Sequence, residues 1–205
     1  MAQKRTIDWM INNYMPLFEK FGVKEQNIRN DYKNTWQKEL KDSNIDTYLI
    51  AIFNYLINEN YKQSKVKNLD LKGFYERNRD VYQEMVLFKR KYKKQKVNHI
   101  HKLYNENYIK ALAEDQSDLI LDAVIICGGT KCIHTESLSG KKISLEEAIE
   151  NTAIPYDECS SEYGCCCTYR LKPRRGEEGN LIFKEEIQNK KTNENKSGFW
   201  SRLFS

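Results

Sequence analysis

The sequence predicts a mainly α-helical protein: an N-terminal helical domain with one long helix, then a small α+β module rich in cysteine, then a flexible tail. Three observations predict this order. Apolar residues recur at helical spacing through residues 1–115, and all six cysteines lie within residues 116–173. Residues 174–198 are polar and charged, as in a disordered linker, and residues 199–205 form an apolar C-terminal peptide.

Charge and composition limit the classes of function. The 205 residues carry 34 basic and 29 acidic side chains, a net charge of +5, which permits binding to nucleic acid or an acidic surface without requiring it. The first residues, "MAQKRTIDWMINNYM", lack the apolar run and cleavage site of a signal peptide. No run approaches the roughly 18 apolar residues that span a bilayer. We therefore expect a cytoplasmic protein with reduced thiols.

The first two helices are indicated by a cap and by apolar spacing. Thr6 can cap a helix that ends near Gly22, and Pro16 within it predicts a kink or a late start. In the next segment apolar residues recur every four positions and line one helical face, at Ile28, Tyr32, Trp36 and Leu40.

The third and fourth helices carry the strongest apolar patterns. Asp46 or Thr47 opens "YLIAIFNYLI", which is apolar nearly all round and predicts a buried central helix. The fourth helix starts near Asp70. Its pattern continues to Ala113 without a proline, so one unbroken helix would span about 65 Å.

Residues of the fourth helix follow the spacing of a coiled-coil seam. Only Asn78 among them is strongly polar, and a single seam asparagine commonly fixes register. A helical hairpin or bundle arm within the same domain is the favoured interpretation, and pairing with a second copy is the alternative. The seam residues are Leu71, Phe74, Asn78, Val81, Met85, Phe88 and Tyr92.

The texture of the chain changes after residue 116. "DLILDAVIIC" is a short apolar run with a β-like end, and "CTYRL" predicts a closing strand. Between them, "SLEE" at residues 144–147 has the pattern of a capping box and opens a short helix through about Asn151.

Two groups of cysteines flank that short helix. Cys127 and Cys132 bracket the tight turn "GGTK", and the second group follows about 27 positions later. Zn²⁺ takes four thiolates tetrahedrally and would staple a segment with few large apolar residues. We expect one structural zinc ion per chain in a knuckle-like module, held by four of Cys127, Cys132, Cys159, Cys165 and Cys167.

The choice of ligands stays open. If residues 165–169 are extended, Cys165 and Cys167 point to the same side and Cys166 to the other. His134 could replace one cysteine. The other interpretations are buried cysteines without a metal, disulfides in an exported protein, and a nucleophilic cysteine paired with His134. His99 and His101 have no partner at ligand spacing.

The cysteine segment resembles the cysteine-rich C-terminal module of Mu F-type phage head morphogenesis proteins. The matching pieces are the first cysteine pair, "LSGK" at 138–141, "IPYDEC" at 154–159, and a final C-x-C. The similarity covers residues 127–169. It departs from the family in the four residues between the first two cysteines, in the missing double proline and histidine, and in Cys166, where the family has arginine. The resemblance implies a metal-binding knuckle.

Two further segments could bind a partner. "KRKYKKQK" would surround a helix with cations that attract phosphate or an acidic protein, or would simply be a solvated surface: Lys89, Arg90, Lys91, Lys93, Lys94 and Lys96. The terminal "GFWSRLFS" would form one apolar face for docking within the chain, in a partner's groove or shallowly on a membrane: Phe199, Trp200, Leu203 and Phe204.

No phosphate-binding loop, dinucleotide fingerprint, HExxH motif or telling pair of carboxylates is present in the sequence, so we do not expect an enzyme. The first hypothesis is a cytoplasmic adaptor with a structural zinc site and a C-terminal docking peptide, which could self-associate through the long helix. The second is a nucleic-acid-binding protein that uses residues 89–96 and the zinc module. The third is a thiol-dependent enzyme with a low-pKa cysteine.

Overall fold

A computed structural model describes residues 5–37, 44–65, 70–114, 118–127, 137–151, 154–155 and 157–185. The chain is mainly helical with a small three-stranded sheet. The helices are α1 (Ile7–Glu19), α2 (Glu25–Asp31), α3 (Ile45–Gln63), α4 (Leu71–Phe88), α5 (Asn98–Ala113) and α6 (Leu145–Glu150). The strands are β1 (Leu121–Ile126), β2 (Lys142–Ser144) and β3 (Thr168–Pro173). Two π-helical turns, π1 (Tyr32–Trp36) and π2 (Lys89–Lys93), extend α2 and α4.

Side-chain caps open three helices where the sequence predicts them. Thr6 Oγ1 accepts from the backbone N–H of Trp9 at the start of α1. Asp70 Oδ1 caps α4 and Ser144 Oγ caps α6 in the same way, each over 3.0 Å. These caps act over three residues of sequence, which is why the sequence alone predicts them.

The start of α3 lies earlier than the sequence suggests. The helix is capped by Asn44, whose Oδ1 accepts from Thr47 N–H over 3.0 Å, and not by Asp46 or Thr47. Asp46 instead turns inward, where Arg5 Nε and Nη2 donate to its carboxylate and Lys93 Nζ lies 2.9 Å away. A long-range ion pair therefore takes the side chain that resembled a cap.

The expectation of one helix from Asp70 to Ala113 is wrong, and the hairpin interpretation is confirmed. Lys94 adopts the left-handed conformation, with φ of 52°, and ends π2. The chain then reverses, so that α5 packs along α4. Most residues of the predicted seam are buried, whereas Leu71 is 43% exposed.

The helices enclose an aromatic core. Phe18, Phe53, Leu49, Leu56 and Val81 are fully buried within it. The rings of α1 meet those of α3 and α4 edge to face, as in aromatic pairs that add to burial energy. This core fixes α4 and, through the hairpin, the position of α5.

The sheet has the order β2–β1–β3, and β1 pairs antiparallel with both neighbours. Ala123 lies opposite Ile143 of β2 and Leu171 of β3. A second core forms against this sheet and includes Ile109 of α5. The sequence predicts β1, α6 and β3, but three residues are too few for β2 to show a pattern.

The sheet region extends beyond the predicted boundary at residue 173. Arg175 bridges to Leu181, and Phe183 bridges to Leu119 beside β1. Arg174 Nε also donates to Asp122 over 2.7 Å. Residues 174–185, which the sequence assigns to the linker, therefore pair with the module.

Within the described part of the chain, no helix combines the length and the apolarity that a membrane crossing requires.

Candidate functional site

One face of α5 holds the loop that carries the cysteine cluster. Asn98, His101 and Asn105 follow each other at spacings of three and four and so lie on the same helical face. The backbone N–H of Cys165 donates to Asn98 Oδ1 over 2.9 Å. The Asn105 side chain donates to the Cys167 carbonyl over 3.3 Å. The loop thus docks through its backbone, which leaves its thiols to face elsewhere.

His101 is the central member of this face and its protonation state follows from its partner. Its Nδ1 lies 2.8 Å from the carbonyl oxygen of Cys165. A carbonyl only accepts, so Nδ1 carries the proton and donates. Burial, together with the charge of Arg90, lowers the pKa of His101 to about 4, although the bond to Cys165 raises that pKa. The ring is therefore neutral at physiological pH.

Arg90 reaches the same carbonyl from the other side. Its Nη2 donates to the oxygen of Cys165 and lies 3.4 Å from His101 Nδ1. Two donors from α5 and π2 therefore converge on one backbone acceptor. The Arg90 guanidinium therefore makes an internal hydrogen bond, although the sequence places this residue among surface cations.

Gly164 brings the loop close to α5. Its φ is +88°, a conformation that L side chains rarely adopt. A Cβ at this position would stand 2.3 Å from Asn98 Oδ1, which is shorter than any normal contact. Both the backbone angle and the space require glycine here.

The thiols meet on the side of the loop that faces β1. Cys127, directly after β1, and Cys167, directly before β3, have sulfur atoms 2.9 Å apart. Cys165 Sγ lies 3.5 Å from the backbone nitrogen of Cys167. Cys159, Cys165 and Cys167 are all buried in the second core. None of the five described cysteines is bridged by a disulfide.

The predicted alternation along the loop is confirmed. Cys165 and Cys167 are buried, whereas Cys166 is half-exposed and its Sγ lies 3.7 Å from the carbonyl of Gly164. Burial, followed by the neighbouring thiols of Cys127 and Cys165, raises the pKa of Cys167 above its ordinary value. A cation beside these sulfur atoms would reverse that balance, because metal-bound cysteine is a thiolate.

The described residues contain no group of three or more histidine, cysteine or acidic side chains arranged to hold a metal ion. Two predicted ligands, Cys132 and the alternative His134, lie outside the described residues. The paired thiols themselves fit a soft metal in kind. Zinc at its usual bond length separates neighbouring ligand sulfurs by about 3.8 Å, so the pair would have to open by about 1 Å.

The basic stretch is divided by the fold. Lys93 pairs with Asp46, and Arg90 bonds the cysteine loop, so neither forms part of a continuous collar. Lys91, Lys94 and Lys96 are exposed, and Lys89 is half-buried. The cations that remain for a ligand therefore lie on the outer side of π2 and in the turn after it. The docking peptide with Phe199, Trp200, Leu203 and Phe204 lies outside the described residues.

Sequence reasoning missed the docking face of α5. Asn98, His101 and Asn105 are buried or half-buried polar residues at helical spacing, and that spacing is the signal that could have revealed them. Their partners are backbone groups about 60 residues away, which a search for ligand spacing does not detect.

Comparisons of the chain with protein-family models, curated proteins and solved structures find no match.

Proposed function

We propose that the protein is a non-enzymatic cytoplasmic adaptor whose cysteine module is closed by one structural zinc ion. Four of Cys127, Cys132, Cys159, Cys165 and Cys167 would supply the ligands. The observation that carries the proposal is the approach of Cys127 and Cys167 to 2.9 Å, from positions 40 residues apart. The resemblance of residues 127–169 to a phage head morphogenesis module supports the same assignment.

The docking of the loop on α5 is consistent with an architectural site. The hydrogen bonds between α5 and the loop use backbone groups of the loop, so this docking does not engage a thiol. The buried residues of the second core include three cysteines and two alanines, and its sheet has one strand of only three residues. A zinc ion that joins β1 to β3 would add stability that this core lacks.

The experiment is elemental analysis of protein purified without a polyhistidine tag, together with a count of reactive thiols. One zinc per chain is expected, with the thiols of Cys127 and Cys167 protected from alkylation. Cys127→Ser and Cys167→Ser should each lose the metal. Cys166→Ser is the matched control, because it removes a neighbouring thiol that points away from the pair. Protein that contains no metal, with Cys127 and Cys167 freely alkylated, would refute the zinc site.

The adaptor role rests on the C-terminal peptide. In the proposal, Phe199, Trp200, Leu203 and Phe204 form an apolar face that docks on a protein partner. Burial of two of these three aromatic rings and the leucine contributes on the order of 5 kcal/mol before ordering costs, which suits a reversible contact. Partner binding that persists in high salt and is lost with Trp200→Ala would support this role. Partner binding that is unchanged by Trp200→Ala would refute the role of the C-terminal peptide.

A further inference from the structure

We propose that a groove between π2 and the cysteine loop binds single-stranded nucleic acid, a function beyond the adaptor role above. The groove has a volume of about 500 Å³, within the range of sites for nucleotide-sized ligands. Its walls include Glu84, Leu87, Arg90, Lys91, Lys94 and Tyr163. All of these residues belong to the described part of the chain, on α4, on π2 and the residue after it, and on the loop before Cys165.

Two lysines of this groove lie over aromatic rings. Lys94 Nζ lies 5.4 Å from the centre of the Tyr163 ring, and Lys91 Nζ lies 5.0 Å from the centre of the Tyr92 ring, which also lines the groove. Proteins bind single strands with this combination, in which bases stack on rings while cations follow the phosphates. A base stacked on Tyr163 would take the place of the lysine head group, which would then be available to a phosphate.

The charge of the groove favours an anion. The lining contains three cations, Arg90, Lys91 and Lys94, and one carboxylate, Glu84. Arg90 donates to the carbonyl of Cys165, so Lys91 and Lys94 are the cations that remain for phosphates. Leu87 is 51% exposed and supplies an apolar surface beside the charges. Flat bases and charged phosphates together match such a mixed lining.

The concave shape selects a single strand over a duplex. In a duplex the bases are stacked inside and only the phosphates reach the surface, so the Tyr163 ring would have no base to stack on. The exposed lysines Lys91, Lys94 and Lys96 would still attract duplex phosphates. We therefore expect both forms to bind, with the single strand bound more tightly.

Fluorescence anisotropy with labelled oligothymidylate of about 20 nucleotides, and with a duplex of equal length, tests the proposal. Lys94→Gly should weaken single-strand binding by about tenfold, because it removes the cation, while glycine accepts the φ of 52° and preserves the turn. Tyr163→Ala should weaken it by about tenfold, and Tyr163→Phe should leave it nearly unchanged, because phenylalanine retains the ring.

Two further variants sharpen the test. Glu84→Gln removes the carboxylate from the groove and should tighten binding about threefold. Lys110→Ala is the matched control, because Lys110 Nζ also lies over a ring, 6.0 Å from the centre of Tyr75. Tyr75 precedes Glu84, the nearest groove residue on α4, by about 14 Å along the helix, at roughly 1.5 Å per residue. Binding by Lys110→Ala should equal that of the wild type.

The salt dependence gives an independent measure. The two exposed cations of the groove, Lys91 and Lys94, predict a slope of about −1.4 for the logarithm of the association constant against the logarithm of salt concentration. Absence of binding, equal binding by Lys94→Gly and Lys110→Ala, or a duplex bound as tightly as the single strand would overturn the proposal. Zinc content is measured separately, so failure here leaves the metal proposal standing.

Discussion

The backbone N–H of Cys165 donates to Asn98 Oδ1 over 2.9 Å and joins the first turn of α5 to the cysteine loop. The Nδ2 of the same side chain donates to the carbonyl of Asp157 over 3.2 Å. One amide therefore holds both arms of the loop, before and after Cys159. The position of the thiols depends on this residue although it touches none of them through these bonds.

Replacement of Asn98 tests this relationship. Asn98→Ala should lower the free energy of unfolding by about 2 kcal/mol, because two hydrogen bonds are lost. One of them is the bond in which the backbone N–H of Cys165 donates to the side chain that alanine lacks. Asn98→Asp keeps the acceptor for Cys165 and should lose less. Urea denaturation followed by circular dichroism measures both. Equal stability of Asn98→Ala and wild type would contradict the assigned role.

Gly164 offers a sharper test because a matched control exists. Gly164→Ala places a Cβ against Asn98, whereas Gly179→Ala, at φ of +81°, meets nothing within 4 Å. The control should lose about 1 kcal/mol from backbone strain alone. Gly164→Ala should lose a further 1 to 3 kcal/mol, roughly, from the clash. Most of that excess should disappear in the Asn98→Ala background, and an excess that persists there would rule out the proposed contact as its source.

The buried pair Asn60 and Asn78 predicts an asymmetry within the helical core. Asn60 donates to the carbonyl of Phe74 and to Asn78 Oδ1, and accepts from Arg77 Nε. Asn78 Nδ2 is buried without a partner among the described residues. Asn60→Leu should therefore cost about 3 kcal/mol, while Asn78→Leu should change stability by less than about 1 kcal/mol. Equal losses of stability in the two variants, measured by thermal and urea unfolding, would show that the asymmetry is absent.

Asp46 predicts a dependence on pH. The hydrogen bond from Arg5, followed by that from Lys93, lowers the pKa of Asp46 below its ordinary value of 3.8, despite burial, which raises it. A lowered folded-state pKa means that the carboxylate stabilises the fold above pH 3.8 and loses that contribution as pH falls through the folded-state value. Asp46→Asn should cost about 3 kcal/mol at pH 7, and the difference from wild type should shrink below pH 3.8.

The control for Asp46 is another aspartate paired with arginine. Asp8 lies 2.7 Å from Arg29, but its side chain is 67% exposed, compared with 7% for Asp46. Asp8→Asn should therefore change stability by no more than about 0.5 kcal/mol. A loss at Asp8 equal to that at Asp46 would show that burial does not distinguish the two pairs.

Features of the fold that arise within a few residues could be predicted from the sequence. Caps such as Thr6 and Asp70 bond three residues ahead, and the alternation of Cys165 to Cys167 follows from extended backbone. The break near Lys94 could not be predicted in this way, because "KRKYKKQK" contains neither proline nor glycine. Its helix ends where long-range bonds from Arg90 and Lys93 hold the chain.

The candidate site shows the same division. The sequence predicts that cysteines from the two groups approach each other, and Cys127 and Cys167 do so. The sequence contains no local sign that His101 contacts the carbonyl of Cys165. Every residue has a backbone carbonyl, so residue types do not reveal which carbonyl accepts a hydrogen bond. The partition of the basic stretch into internal and exposed cations likewise depends on which residues the fold brings beside it.

Helix α5 contributes to two cores, with Ile100 and Leu103 packed against the first and Ile109 buried in the second. Unfolding of either core therefore removes packing contacts from the same helix. We therefore expect the two halves of the chain to unfold as one thermodynamic unit, with a single heat-absorption peak whose calorimetric and van't Hoff enthalpies agree. A cut at residue 115, between the predicted domains, would separate α5 from the second core, in which Ile109 is buried.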